Sequence, residues 1–410
     1  MQVGIERMNV YGGAAVIGVR DIFHARGLNL DRFDNLLMRE KAVGLPWEDP
    51  VTHAVNAAKA LVDGLTEAQK ARIEMVVTAT ESGIDFGKSL STYVHHHLGL
   101  SRRCKLFEVK QACYGGTAAL GIAANHVLAH AAYDPKVLVI ATDVARSADT
   151  LSYAEPSQGC GAVAFLVGTS PDVLELDVGA TGFHGYEVMD TCRPSYEVET
   201  GNPDVSLFSY LDCMERCFEA YSERVEGADV MTTFGALAFH TPFGGMVKGA
   251  HRKLVRKFGK LDSAAIERDF AARVAPSLEY CMRVGNLYSA SLYMALASLI
   301  DHLGARAETR VGLFSYGSGC SSEFFSGLVG PQSTRALAGM EMGRRLDQRY
   351  RLSMQEYDAL LDDLRAFPFG AKDLEVGLSR FGRIHEQAFA GQRRLVLRRI
   401  KDYHREYEWS

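Results

Sequence analysis

Leu106-Phe-Glu-Val-Lys-Gln-Ala-Cys113-Tyr-Gly-Gly116 runs directly into Thr117-Ala-Ala-Leu-Gly-Ile-Ala-Ala-Asn-His-Val-Leu128. The first part reads as a short strand ending in a tight turn, the second as a long Ala-rich helix. Small residues after the turn (Gly115, Gly116, Ala118, Ala119) let that helix enter a packed interior. A cysteine at the turn stands near the unpaired N–H groups and the positive end of a helix. Both favour thiolate over thiol, so Cys113 is a candidate nucleophile. The plain alternative is a buried, inert thiol.

Outward from this stretch, apolar β-branched runs alternate with helical patterns. Strands are predicted at 73–80, 137–142, 161–167, 174–179 and 311–316. Helices are predicted at about 48–63, 116–130, 206–224, 246–258, 262–273 and 287–303. Near-continuous apolar strands between helices mean sheets covered on both faces, an α/β or layered plan. The polar stretch 191–203, with two prolines, reads as a loop. Arg393 to Arg399 reads as an amphipathic element with a solvated basic face.

The chain has 410 residues and a net charge of −5, so nucleic acid is not an expected partner. No apolar run reaches membrane-spanning length, and the N-terminus lacks a signal peptide's apolar core. A cytoplasmic protein is expected. Eight cysteines in so long a chain are not a disulfide framework, and no ligand set has metal spacing. Three adjacent residues, His95-His96-His97, point in different directions on a helix and do not make a metal site.

Glu81 follows the strand 73–80, where ligands bind in α/β sheets, and can be a general base or a solvated loop carboxylate. His240, with aromatic flanks and a following proline, can donate to a developing alkoxide or be a core histidine. A basic run follows it (Lys248, His251, Arg252, Lys253, Arg256, Lys257, Lys260). It suits a phosphate or an acidic protein, or is a solvated face. Asn286 is an N-cap or a pocket residue. The glycine-rich turn at Ser318 can face an oxyanion with its N–H groups.

Six elements in one order, Glu81 in TESGID, Cys113 in KQACYGG, Glu155-Pro156 in AEPSQGCGAVA, His240 in FHTPFGGMVKGAH, Asn286 in VGNLYSASLY and Ser318 in FSYGSG, span nearly the whole chain. Together they resemble the HMG-CoA synthase family of the thiolase superfamily. The wording around Arg32-Phe-Asp-Asn-Leu-Leu-Met38, Glu40 to Pro50, Gly185 to Pro194 and Ser209 to Cys213 is closer to the branch that works in polyketide β-branching on acyl carrier proteins. The loop around Ser147 to Tyr153 is shorter than that branch's pattern, which bears on donor preference.

The resemblance implies a thiolase-like α/β fold, two duplicated halves in αβαβα layers, divided as 1–172 and 173–410, and a homodimer. It implies an aldol condensation. Cys113 carries the acetyl group, Glu81 removes a methyl proton, and His240 polarises the acceptor ketone. Backbone N–H groups of Cys113 and Ser318 hold the oxyanion. Asn286, Ser318, Tyr210, Arg32 and Lys248 bind substrate. Arg252, Lys253 and Arg256 dock donor and acceptor carrier proteins. No cofactor is resident; a phosphopantetheine arm, or CoA, carries the substrates. Three other readings compete: an isoprenoid-supply synthase using free CoA thioesters, a decarboxylating ketosynthase and a non-catalytic carrier scaffold.

Overall fold

The structure, a computed structural model, describes residues 2–145, 154–195, 198–304, 307–365, 369–377 and 380–410. The Ser147 to Tyr153 loop lies outside them. A nine-stranded sheet organises the molecule. Its strands are β1 (Gly4–Tyr11), β2 (Ile73–Ala79), β3 (Lys105–Val109), β4 (Lys136–Val144), β5 (Cys160–Gly168), β6 (Leu174–Gly185), β7 (Ala236–Phe239), β8 (Thr309–Gly317) and β9 (Ser321–Val329). Their spatial order is β7-β8-β9-β6-β1-β5-β4-β2-β3.

Outward from the central β1–β6 pair, the two arms follow one plan. The first runs β1-β5-β4-β2-β3 and the second β6-β9-β8-β7. In each arm the second strand is antiparallel to both neighbours, and the third and fourth are parallel. Antiparallel β1 and β6 join the arms.

Side chains alternate across each strand, so each face of the sheet feeds a different core. Val137, Val139, Ala141, Val163 and Phe165 enter a central core with helices α2 (Gly115–Ala129) and α5 (Ser291–Leu303). Their neighbours Leu138, Ile140, Ala162 and Ala164 pack outward with α1 (Pro50–Asp63). In the other arm, Leu237, Phe239, Phe314 and Phe324 pack outward with α3 (Pro203–Arg224) and α4 (Gly244–Lys257). Helices therefore cover both faces and fill the middle, the layered arrangement the apolar strands predict.

The predicted helices match α1 to α5 and Ser263–Arg273 to within a few residues, with one turn of 3₁₀ helix (Tyr288–Ala290) ahead of α5. The 191–203 stretch is not a plain loop. Thr191–Cys192 and Thr200–Gly201 pair as a short antiparallel ribbon, half-buried on the first strand and exposed on the second. The Arg393–Arg399 element is mostly strand: Leu395–Lys401 pairs with His404–Trp409.

The central helices approach closely because α2 lacks a side chain at Gly116. A Cβ there would lie 2.4 Å from the Ser289 carbonyl oxygen and 2.9 Å from the Tyr293 ring. Glu155, quoted above as a family element, serves the packing. Its fully buried carboxylate pairs with Arg26 at 3.1 Å and accepts from Tyr357 at 3.1 Å, tying the C-terminal region to the N-terminal helix Val19–Arg26.

Gly116→Ala is expected to lower stability by at least ~1–3 kcal/mol through overpacking against backbone. Gly121→Ala, on the same helix with open space at its Cβ, is expected to gain about 0.5–1 kcal/mol. Urea denaturation midpoints of the two variants check the contrast.

Candidate active site

Parallel strands β3, β2 and β4 end side by side, and their carboxyl ends deliver the site. Glu81 follows β2, Asp143 ends β4, and Cys113 follows β3. Ala112 takes a left-handed φ of 43°, which makes the turn into α2 tight. The second arm delivers His240 directly after β7 and Ser318 directly after β8. Gly317 lets the two arms meet: a Cβ there would lie 2.5 Å from the Tyr114 nitrogen and 2.6 Å from the Gln111 oxygen. Glu81, Cys113, His240, Asn286, Ser318 and Tyr210 all line one cavity of about 380 Å³.

Cys113 Sγ stands 3.4 Å from Glu81 Oε1, its thiol donating to the carboxyl group. Burial and the nearby carboxylate of Asp143 push Glu81 up to about 8, against the pull of Arg193. Burial, then the charges of Glu81 and Asp143, push the Cys113 thiol well above its usual range. The thiolate predicted from the helix terminus is therefore not the resting form. α2 begins at Gly115, leaving Cys113 one residue outside its N-cap. A helix terminus contributes about 0.3–1 kcal/mol; ionising a desolvated group beside carboxylates costs several kcal/mol. Burial wins.

Asp143 was not singled out by the sequence reading. Its buried carboxylate accepts from Thr80 Oγ1, the Glu81 N–H, Ser82 Oγ and both the N–H and Oγ of Ser289, at 2.6–3.1 Å. It thereby fixes the Glu81 turn to the 3₁₀ turn before α5. Its place at a strand's carboxyl end, beside Glu81, was the available signal. Arg193, Glu199 and Tyr288 were missed too. Arg193 Nη1 donates to the Glu81 carbonyl oxygen at 3.2 Å and to Ser82 Oγ at 3.1 Å, and Nη2 pairs with Glu199 at 3.3 Å. The Tyr288 hydroxyl donates to Glu199 at 3.1 Å.

His240 is 2% exposed, and burial lowers its imidazole to about 3, so the ring is neutral. Its Nδ1 is buried with no partner among the described residues. Tyr210 is fully buried, and its hydroxyl donates to the His240 carbonyl at 2.7 Å. It positions His240, although it also lines the cavity. Asn286 Oδ1 accepts from the Tyr288 N–H and Ser291 Oγ, at 2.9 and 2.8 Å, leaving its Nδ2 for a ligand. It is both a capping group and a pocket residue.

Arg32 and Lys248 do not line this cavity. Arg32 is exposed in the short 3₁₀ turn Leu30–Arg32. Lys248, half out of α4, pairs with Glu267 at 2.8 Å. The basic run is also divided. Lys253 pairs with Glu215 at 2.8 Å, and Lys257 bonds to Glu215 and Glu219. Arg252 and Arg256 are exposed along a second groove, of about 550 Å³, whose apolar wall includes Leu207, Leu211 and Phe243. Met246 lines both this groove and the Cys113 cavity.

Such a site brings a thiol, a carboxylate of raised basicity and a neutral imidazole to one cavity. It can support thioester exchange, proton abstraction from carbon and stabilisation of a new alkoxide. Comparisons with known proteins agree. Family models described as "Hydroxymethylglutaryl-coenzyme A synthase N terminal" and "C terminal" match residues 2–172 and 256–379. The chain is 51% identical to the polyketide biosynthesis 3-hydroxy-3-methylglutaryl-ACP synthase of Bacillus subtilis, over 100% of this chain and 99% of that one. It is 36% identical to a hydroxymethylglutaryl-CoA synthase of Enterococcus faecalis, over 88% and 91%. The crystal structure of the curacin biosynthetic pathway HMG synthase in complex with acetyl donor-ACP matches with a TM-score of 0.97 and 52% identity, covering 100% of both chains.

Because the Cys113 thiol is raised, its alkylation by iodoacetamide is expected to accelerate with pH throughout pH 6–9, without a plateau. A plateau reached near neutrality would restore the helix-stabilised thiolate.

Proposed function

The chain belongs to the hydroxymethylglutaryl-coenzyme A synthase family, and on that premise we propose how its cavity performs the family's condensation, with acyl carrier proteins delivering the thioesters. It is a carbon–carbon bond-forming acyltransferase. The observation that carries the residue assignment is the 3.4 Å contact between Cys113 Sγ and Glu81 Oε1 in a cavity that His240 also lines.

The Cys113 sulfur attacks the acetyl thioester carbonyl. The bond to the phosphopantetheine sulfur breaks, and the departing thiolate takes the proton that Cys113 gives up. Backbone N–H groups of Cys113 and Ser318 are the oxyanion donors, held together by the close packing at Gly317. Glu81, protonated at rest, first releases its proton to water, and its carboxylate then removes a proton from the acetyl methyl. Its raised basicity suits so weak a carbon acid. The resulting enolate attacks the β-ketone of the second thioester, whose oxygen becomes an alkoxide. His240, neutral at rest, hydrogen-bonds that oxygen. The proton taken by Glu81 ends on the new hydroxyl, passed by His240 or water. Asn286 Nδ2 helps hold the acceptor. Water finally attacks the acyl-Cys113 carbonyl, the C–S bond breaks, and a 3-hydroxy-3-methylglutaryl-type thioester leaves with a free carboxylate.

Two observations support carrier-protein delivery over free CoA. Relatives with half of this chain's residues are an ACP synthase and an enzyme in complex with a donor ACP. The groove beside Met246 pairs an apolar wall with exposed Arg252 and Arg256, a match for an acidic helical carrier. Lys253 contributes less, being paired already. A homodimer built on the sheet edge is proposed as well. β3 ends the sheet, and nearby Phe86 is 99% exposed. A reducing cytoplasm suits a mechanism that needs a free Cys113 thiol.

Intact-mass analysis after mixing with acetylated carrier protein or acetyl-CoA tests the reading. Carrier is expected to add one acetyl group to Cys113 faster than CoA does; equal or faster labelling by CoA would favour isoprenoid supply. Cys113→Ala should take no label. Glu81→Gln should still be acetylated, because thiol–thioester exchange has its own leaving thiolate to accept the proton. Its condensation should fall by about 10²–10⁴. Loss of acetylation in Glu81→Gln would remove Glu81 from the base role.

Arg252→Glu with Arg256→Glu should slow carrier labelling about tenfold, with the deficit shrinking at high salt. Unchanged rates would return both residues to an ordinary solvated face.

A further inference from the structure

A second cavity, of about 310 Å³, lies on the outer side of the β1 end, between α1, the short helix Met342–Asp347 and the turn at Arg393–Arg394. It shares no lining residue with the Cys113 cavity. Its size is at the low end for small-molecule sites. The charge is one-sided. Lys59, Arg345, Arg393 and Arg394 line it, with Asp63 as the single carboxylate. Four cations against one anion stand out in a chain whose net charge is −5.

That one carboxylate is taken, since Asp63 pairs with Lys59 at 2.7 Å. Among the described residues neither Arg345 nor Arg394 forms an ion pair; Glu341, the carboxylate whose charge reaches Arg345, is paired with Arg344. Arg345 is anchored by donating to Asn9 Oδ1, while its Nε is buried with no partner. Arg394 rests over the rings of Tyr11 and Phe389, at 5.6 and 5.5 Å from their centroids. The α-carboxylate of Ser410 abuts the turn, accepting from the Arg393 N–H at 3.2 Å, but Ser410 does not line the cavity. Burial and the neighbouring Arg394 charge both lower Arg345 from its usual range. Two like-charged guanidinium groups are held together here, facing a cavity, with donors to spare.

We propose that this cavity binds a phosphate dianion, gripped by Arg345 and Arg394. Guanidinium forks match the oxygen geometry of phosphate and pair with it through two parallel hydrogen bonds. The anion would supply the counter-charge the cavity lacks. It would also staple the Arg393–Arg394 turn to the β1 end.

The test uses the full chain in a phosphate-free buffer. Inorganic phosphate is titrated against sodium chloride of equal ionic strength, with thermal unfolding and equilibrium dialysis of labelled phosphate as readouts. One phosphate per chain is expected, with a saturable rise in unfolding temperature that chloride does not reproduce. Arg394 makes no side-chain hydrogen bond or ion pair among the described residues, so Arg394→Gln orphans no polar partner and gives up only the contacts with the Tyr11 and Phe389 rings. That variant should still unfold cooperatively without phosphate, yet bind phosphate at least tenfold more weakly. Arg335→Gln, exposed on the helix Pro331–Ala338 and outside the cavity, should bind as the parent does. Absence of saturable binding, undiminished binding in Arg394→Gln, or loss of binding in Arg335→Gln would each overturn the proposal.

Discussion

The 3.4 Å approach of Cys113 Sγ to Glu81 Oε1 is the contact on which the rest of the site depends. It requires β2 and β3 to be parallel neighbours ending at one level. It requires Asp143 on β4 to hold the Glu81 turn by its N–H. It also requires the second arm to close over both groups, which Gly317 permits by packing against the Gln111–Tyr114 turn. The repeated strand plan of the two arms thus does chemical service. One arm brings sulfur and carboxylates; the other brings the imidazole and the glycine-rich turn.

Electrostatics in that space run opposite to first intuition. Acidic Glu81, Asp143 and Glu199 outnumber the one guanidinium, Arg193, in the cluster around the thiol. The cluster relieves itself by retaining protons, not by ionising. Burial raises Asp143 as it raises Glu81, and at Asp143 the hydrogen bonds from Ser289, the Glu81 N–H and Ser82 oppose that rise. A carboxyl group so placed is a stronger base when it does ionise, which proton abstraction from a thioester methyl demands. The neutral state of His240 belongs to the same logic. No carboxylate pairs with it among the described residues, and burial holds it as a neutral imidazole.

Much of this was legible in the chain. Continuous apolar runs such as Val137 to Thr142 identified buried strands, and the 3.6-residue pattern located the long helices. Glu81 was found because it stands at a strand's carboxyl end with glycine close behind, and Cys113 because it stands at the turn into the N-terminus of an Ala-rich helix. β9 escaped notice because Ser321-Ser-Glu-Phe-Phe-Ser-Gly-Leu-Val329 mixes polar residues and glycine. Those polar side chains are satisfied largely within the sheet: Ser326 donates to Asp177 and Glu323 accepts from Thr181, both on neighbouring β6, and Glu323 also accepts from Tyr114. Arg193 and Glu199 sit in a polar stretch whose composition says loop; only tertiary contact turns it toward Glu81. The protonation state of Cys113 was misjudged for a related reason. The helix terminus is visible in sequence, whereas the burial that outweighs it is not.

The most direct measurement is the titration of Glu81 itself, followed by isotope-edited infrared spectroscopy with Glu81→Gln as the subtraction reference. The account predicts a protonated carboxyl stretch that persists through neutral pH and disappears near pH 8. A carboxylate already ionised at pH 5 would contradict the raised Glu81 carboxyl group at the centre of the site.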